Sequence, residues 1–193
     1  MRLFLAIFPP REIGNSFKKI QERLMAFEKN LKFVDPAIIH MTVRFLGAHI
    51  SDQSFKKIFP VIRSVIVQQD QFNVRIKEAR FGFPGRRWPR ILYVSIARSE
   101  SLNKLLSCLN LETDSLNLSD IYEYKHQGNP IHHFTLARSR KNLTRVVVAN
   151  IRSVLAKCEL WEGLRVKEIS LVKSKLTREG PEYQTVEEFK LRK

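Results

Sequence analysis

The sequence predicts an α+β protein built as two pseudo-repeated lobes, with two sheets side by side, helices on their outer faces and a groove between them. Three observations carry this. Strand-like and helix-like patterns follow one another in the order β-α-β-α-β, and the order is used twice within 193 residues. The tripeptide His-x-Thr stands in the equivalent slot of each half, as His40-Met41-Thr42 and His133-Phe134-Thr135, 93 residues apart. An apolar content of 44%, with 10% aromatic residues, is enough for one packed core, so residues 1–193 are expected to form a single domain of two lobes.

In chain order, Leu3 to Phe8 is an apolar run that reads as a strand, and Pro9-Pro10 suits the start of a helix, where a missing N–H costs little. An amphipathic helix is expected from about Arg11 to Glu28, followed by the first His-x-Thr strand. Ser51-Asp52 reads as a helix cap opening a helix to about Gln68, and a strand follows over about Phe72 to Arg80. The Gly- and Pro-punctuated RFGFPGRRWPR joins the halves. The second half repeats the order: a strand at Ile91 to Ala97, a helix from about Glu100 to Leu111, and the second His-x-Thr strand. A helix over about Leu143 to Lys157 and a strand over about Leu164 to Lys173 complete it, and a last strand closes the chain near Tyr183 to Leu191. The polar stretch 112–130 lies just before the second motif, where it could serve as a lid or as surface chain.

Side chains at i and i+2 of a strand leave the same face, so each motif histidine has its threonine beside it. On the first run strict alternation groups Ile38, His40, Thr42 and Arg44 on one face and Met41, Val43 and Phe45 on the other, apolar, face. On the second it groups His133, Thr135 and Ala137 against Phe134, Leu136 and Arg138. With five histidines and six threonines, chance supplies about 0.16 such tripeptides, which makes two an accident of about one in a hundred. His132 has Phe134 at i+2 and reads as structural or as a rim residue, while His126 has no hydroxyl partner.

Two imidazoles facing each other across a groove form a general acid–base pair: one takes a proton from an attacking oxygen and the other returns one to a departing oxygen. Histidine, with an ordinary pKa of about 6.5, can fill either role without a metal. The Thr42 and Thr135 hydroxyls can hydrogen-bond the oxygens of a phosphoryl group, and Arg44 is a candidate charge clamp, with an inter-strand salt bridge as its rival role. The chain lacks a Gly-x-x-x-x-Gly-Lys phosphate loop, a Gly-x-Ser-x-Gly elbow and a His-Glu-x-x-His pair, so triphosphatase, serine hydrolase and zinc protease readings lack their minimum parts. No cofactor and no metal are expected. Cys108 and Cys158 are far apart and suggest neither a disulfide framework nor a zinc cage, which fits a reducing cytoplasm. The Leu3 to Phe8 run is too short for a membrane span, and no membrane partner is expected. A surplus of 34 Lys and Arg over 19 Asp and Glu, net +15, favours a polyanionic partner such as nucleic acid. The densest clusters are Arg86-Arg87-Trp88-Pro89-Arg90, where an indole could stack on a base or pack the loop, and Lys167 to Arg178. No heptad or long apolar surface run suggests obligate assembly, so a monomer is expected.

These residues resemble the two-histidine (2H) phosphoesterase superfamily and, within it, the RNA 2′,3′-cyclic phosphodiesterases, also named 2′-5′ RNA ligases. The resemblance runs through nearly the whole chain: RLFLAIFPPREI, HMTVRFLG, FGFPGRRWPRILYVSI, HFTLAR and SLVKSKLTREGPEY, the last with the Gly180-Pro181 turn and Tyr183. One departure is His132, which stands where the family usually places proline. The resemblance implies a bilobal α+β fold, with two mostly antiparallel sheets lining a central cleft. It implies hydrolysis of a terminal 2′,3′-cyclic phosphate on RNA to a 2′-phosphomonoester, with His40 as proton donor to the leaving 3′ oxygen and His133 as the base activating water. Ligation would be that chemistry run backwards. Two other readings stay open at this level: a non-catalytic module that binds RNA ends, and a related enzyme acting on small cyclic nucleotides or 2′-5′ oligoadenylate.

Overall fold

A computed structural model describes residues 1–84, 88–122, 131–178 and 180–193. Strand β1 (Arg2–Ile7) leads through Pro9-Pro10 into helix α1 (Arg11–Arg23), whose Ile13, Phe17 and Ile20 form the buried stripe. The helix ends five residues short of the expected point. Beyond it Leu24 is pulled into the core, and the chain tightens into a 3-10 turn at Met25–Phe27. A short strand that the pattern did not suggest, β2 (Leu31–Phe33), precedes a second 3-10 turn at Pro36–Ile38 and the first motif strand, β3 (Met41–Gly47). Helix α2 (Asp52–Val67) is capped by the Ser51 hydroxyl, which accepts from the Ser54 N–H, and it buries Ile58, Ile62 and Ile66. The hairpin strands β4 (Phe72–Phe81) and β5 (Ile91–Ile96) follow.

Helix α3 (Glu100–Asp114) is capped by Ser99 and packs Leu102, Leu105, Leu106 and Leu109 inward. It runs three residues past the expected end, because Thr113 points into the core and satisfies its hydroxyl on the Leu109 carbonyl. The second motif strand β6 (His133–Ser139) and helix α4 (Arg145–Leu155), capped by Thr144, precede the final strands. These are β7 (Gly163–Val166), β8 (Glu168–Leu176) and β9 (Pro181–Lys190). The single strand expected over 164–173 is thus divided at Lys167 into β7 and β8.

The strand order is β7-β4-β5-β6-β3-β1-β8-β9, with β2 on β6, and every strand pairing is antiparallel. Where two sheets were expected, the nine strands form one continuous sheet, whose halves join where β3 meets β6, at the single pair Met41 and Phe134. The pseudo-repeat is exchanged between lobes: β4 leaves the first half to pair with β5, and β8 leaves the second half to pair with β1. Helices α2 and α3 pack on each other, α2 also on β9, and α4 on β4. One apolar core runs through both lobes, from Leu3, Leu5 and Ile7 of β1 to Leu92 and Val94 of β5. Among the described residues, no helix is long and apolar enough to cross a membrane.

Candidate active site in the central cleft

Both motifs open onto one cleft of about 830 Å³, lined by His40, Thr42, His133 and Thr135 together with Arg2, Lys32, Phe45, Arg138 and Tyr183. The sheet curls so that the two motif strands, joined at Met41 and Phe134, form its floor. His40 and His133 are held alike. The His40 Nδ1 lies 2.9 Å from the Ile38 carbonyl and the His133 Nδ1 2.7 Å from the Ile131 carbonyl, in each case the carbonyl two residues back. A carbonyl can only accept, so Nδ1 carries the proton in both neutral rings, and Nε2 is the nitrogen left for a substrate. The Pro36–Ile38 turn sets the Ile38 carbonyl, and it is itself fixed by the Asp35 carboxylate, which accepts from the Ala37 N–H at 2.9 Å.

Aromatic rings hold each imidazole from the side. His40 has Phe4 at 4.9 Å, Phe8 at 5.8 Å and Tyr183 edge-on at 5.1 Å between ring centres. His133 has Phe83 at 5.0 Å and Tyr93 at 5.3 Å, and these two rings stack on each other at 4.7 Å. This burial disfavours the charged imidazolium and pushes both histidines below their ordinary value. The carbonyl bonds oppose the shift. The charge of His133 lowers His40 further, and the Arg138 guanidinium lowers both. Burial also raises the Tyr183 hydroxyl, with Arg138 and Arg2 pulling the other way.

Thr42 and Thr135 line the cleft beside their histidines, as the i, i+2 rule expects. Arg44 does not. Its side chain is fully buried on the other face of β3, where Nη2 donates to Asp114 Oδ1 at 2.7 Å and to the Tyr122 carbonyl at 3.4 Å. The physical reason is a β-bulge: Ala6 of β1 pairs with Thr42 but its neighbour Leu5 pairs with Arg44, so Val43 is an extra residue and alternation is reset. Val43 and Arg44 both turn inward, and Phe45 takes the cleft position. The second motif strand does the same. Tyr93 pairs with Thr135 and Leu92 with Ala137, so Leu136 is the extra residue. Leu136 and Ala137 are both in the core, and Arg138, which strict alternation placed on the apolar face, lines the cleft.

Arg138 is therefore a cation that sequence reasoning missed at this site, as are Arg2 and Lys32. No local signal could have found Arg138: the bulge that puts the residue five after each histidine where the residue four after was expected is set by pairing with β1 and β5. His132 is buried, with 8% exposure, and lines a separate smaller pocket. Trp88 is half-exposed at 48% beside the β4–β5 hairpin; the neighbouring Arg86 and Arg87, and His126 in the polar stretch, lie outside the described residues. The stretch expected over 112–130 begins inside α3 and then packs against the end of β3. There the Tyr122 N–H donates to the Leu46 carbonyl at 2.7 Å, and the Ser51 N–H donates to Asp120. A Cβ on Gly47 would stand 2.5 Å from the Asp120 carbonyl oxygen, so only glycine admits this approach. Residues 123–130 lie outside the described residues. Among the described residues, no three His, Cys, Asp or Glu side chains gather as metal ligands.

No protein-family model matches the chain. Proteins named RNA 2′,3′-cyclic phosphodiesterase do match it end to end. One from Methanothermobacter thermautotrophicus is 27% identical over 191 residues, covering 99% of each chain. One from Aquifex aeolicus is 28% identical over 191 residues, covering 99% of this chain and 97% of that one. Among solved structures, TT0787 of Thermus thermophilus superposes with a TM-score of 0.81 at 25% identity, covering 100% of this chain and 98% of that chain. Escherichia coli LigT complexed with 3′-AMP shares the fold, with a TM-score of 0.74 at 19% identity and the same coverage. Fold and sequence together thus bear out the resemblance to the two-histidine phosphoesterases. Within that class the chain resembles the RNA 2′,3′-cyclic phosphodiesterases, the 2′-5′ RNA ligase family, along its whole length.

Proposed function

We propose that this protein hydrolyses the terminal 2′,3′-cyclic phosphate of RNA to a 2′-phosphomonoester, with His40 and His133 as general acid and general base. The observation that carries this is the matched mounting of the two imidazoles: each has Nδ1 tied to the carbonyl two residues back, and both line one cleft beside a threonine hydroxyl. Two imidazoles acting from either side of a phosphorus atom would serve in-line displacement. His133 takes a proton from water as its oxygen attacks phosphorus, and the P–O3′ bond breaks. His40 gives its proton to the departing 3′ oxygen, so the product carries a free 3′ hydroxyl and a 2′ phosphate. Each turnover leaves the two rings with protonation states exchanged, and solvent resets them.

Negative charge gathers on the non-bridging oxygens in the transition state. The Thr42 and Thr135 hydroxyls and the Arg138 guanidinium are the groups on hand to meet it. The two imidazoles supply both proton transfers, so the mechanism calls for no metal. With an RNA 5′ hydroxyl in place of water as the nucleophile, the same displacement, again breaking P–O3′, forms a 2′-5′ linkage. The net charge of +15 supplies long-range attraction for an RNA end.

The test is incubation of the purified protein, in EDTA, with a short RNA ending in a 2′,3′-cyclic phosphate. Ring opening to the 2′ phosphate is expected, reduced about 100-fold or more in His40→Ala and in His133→Ala. Retention of RNA binding without any turnover would identify a binding module instead.

A further inference from the structure

A second pocket of about 270 Å³ lies in the second lobe, behind the ring that walls the His133 site. Tyr93 packs edge-on against His133 and also lines this pocket, so the two spaces are one aromatic ring apart. Strand register keeps them close: Ser95 pairs with His133, Glu78 with Ser95, and Arg80 with Tyr93. Lys77 and Arg80 of β4 line one side, and Arg98, just ahead of the first turn of the 15-residue helix α3, lines another. They stand against one carboxylate, Glu78, which Arg80 approaches at 2.6 Å and Lys77 at 3.9 Å. His132, 8% exposed, forms part of the wall, and its Nε2 has no hydrogen-bond partner among the described residues.

Three cations in the lining, one of them just ahead of a helix start, outnumber its single carboxylate and together favour an anion. A stacked base is disfavoured, because the Tyr93 face is already covered by Phe83 at 4.7 Å. Resting on the reaction proposed above, we infer that this pocket holds the phosphate on the 5′ side of the terminal nucleoside, one ring away from the cyclic phosphate at His133. The protein then prefers an RNA end, or a 5′-phosphorylated nucleoside, to a bare cyclic nucleoside.

The experiment compares kcat/KM for three substrates: adenosine 2′,3′-cyclic phosphate, the same nucleotide with a 5′ phosphate, and the dinucleotide ApA ending in the cyclic phosphate. The wild type and the double variant Lys77→Ala, Arg98→Ala are both assayed; the two side chains are exposed, so the fold should tolerate their loss. The wild type is expected to favour both phosphate-bearing substrates about tenfold or more. The double variant should lose that advantage while keeping its rate on the bare cyclic nucleotide. Preference for the dinucleotide alone would assign the pocket to an internucleotide phosphodiester, and equal preference to any 5′ phosphate. A wild type indifferent to the 5′ phosphate, or a variant impaired equally on all three substrates, overturns the inference while leaving the reaction intact. If none of the three is hydrolysed, the proposed reaction fails on its own account. Equal affinities of wild type and double variant for the 5′-phosphorylated nucleotide would then overturn the pocket as well.

Discussion

Phe45 and Arg138 occupy the same place in their strands, five residues after the motif histidine, and both face the cleft because a bulge resets alternation just after each threonine. The first lobe thus presents an aromatic ring where the second presents a guanidinium. The charge of Arg138 is felt by His40, His133 and Tyr183 together.

Arg138→Gln is expected to lower kcat/KM roughly 100-fold, the scale of losing one transition-state charge partner. Because Arg138 depresses both histidines, its loss should also move the acidic limb of the pH profile upward. A variant with near-normal rate and an unmoved limb would remove Arg138 from the site.

The wild-type pH profile follows from burial. Both imidazoles lie below their ordinary value, and the proposed mechanism needs one protonated and one neutral ring. The kcat/KM profile of the free enzyme should therefore peak on the acid side of pH 6.5 and fall about tenfold per unit at higher pH. Bound phosphate favours the imidazolium, so the kcat profile should lie at higher pH. Rates on a cyclic mononucleotide from pH 5 to 9 decide it, and a kcat/KM optimum above about 7.5 contradicts the burial argument.

Arg44 and Asp114 tie the first motif strand to the end of α3, with the arginine side chain fully buried. Asp114→Asn takes a charged partner from a buried guanidinium and should cost roughly 2–3 kcal/mol, about 4–12 °C in melting temperature. Catalysis at 25 °C should stay within about threefold. Thermal denaturation beside steady-state kinetics separates this from a role in the cleft, where the rate would collapse and stability would hold.

His132 is pushed down to about 4 by burial, with the charge of His133 adding to the shift. Its folded value lies below its unfolded value of about 6.5, so the unfolded chain takes up the proton first as pH falls. Stability is expected to be full above pH 6.5 and to decline by roughly 3 kcal/mol between pH 6.5 and 4 through this residue. Urea unfolding across that range should show the decline. It should be flatter in His132→Gln, and parallel curves for the two proteins would dismiss the assignment.

Element type and order were legible because they rest on local patterns. The apolar periods of α1 to α4, the Ser51 cap and the alternation of the motif strands are written within a few residues of one another. His40, Thr42, His133 and Thr135 were found for the same reason: an i, i+2 spacing on a strand is a local statement. What the chain could not display along its length was anything set by a partner strand. The exchange of β4 and β8 between lobes, the division of one expected strand at Lys167, and the short strand β2 all depend on hydrogen bonds to distant segments. The bulges at Val43 and Leu136 exist only as a mismatch against β1 and β5, and they alone decide that Arg44 is buried and Arg138 faces the cleft. Sequence by itself determined which side chains stand together as candidates for the proposed chemistry, since residue type and strand period are properties of one segment. Tertiary structure decided which cation joins them, since the facing of a side chain beyond a bulge is a property of two.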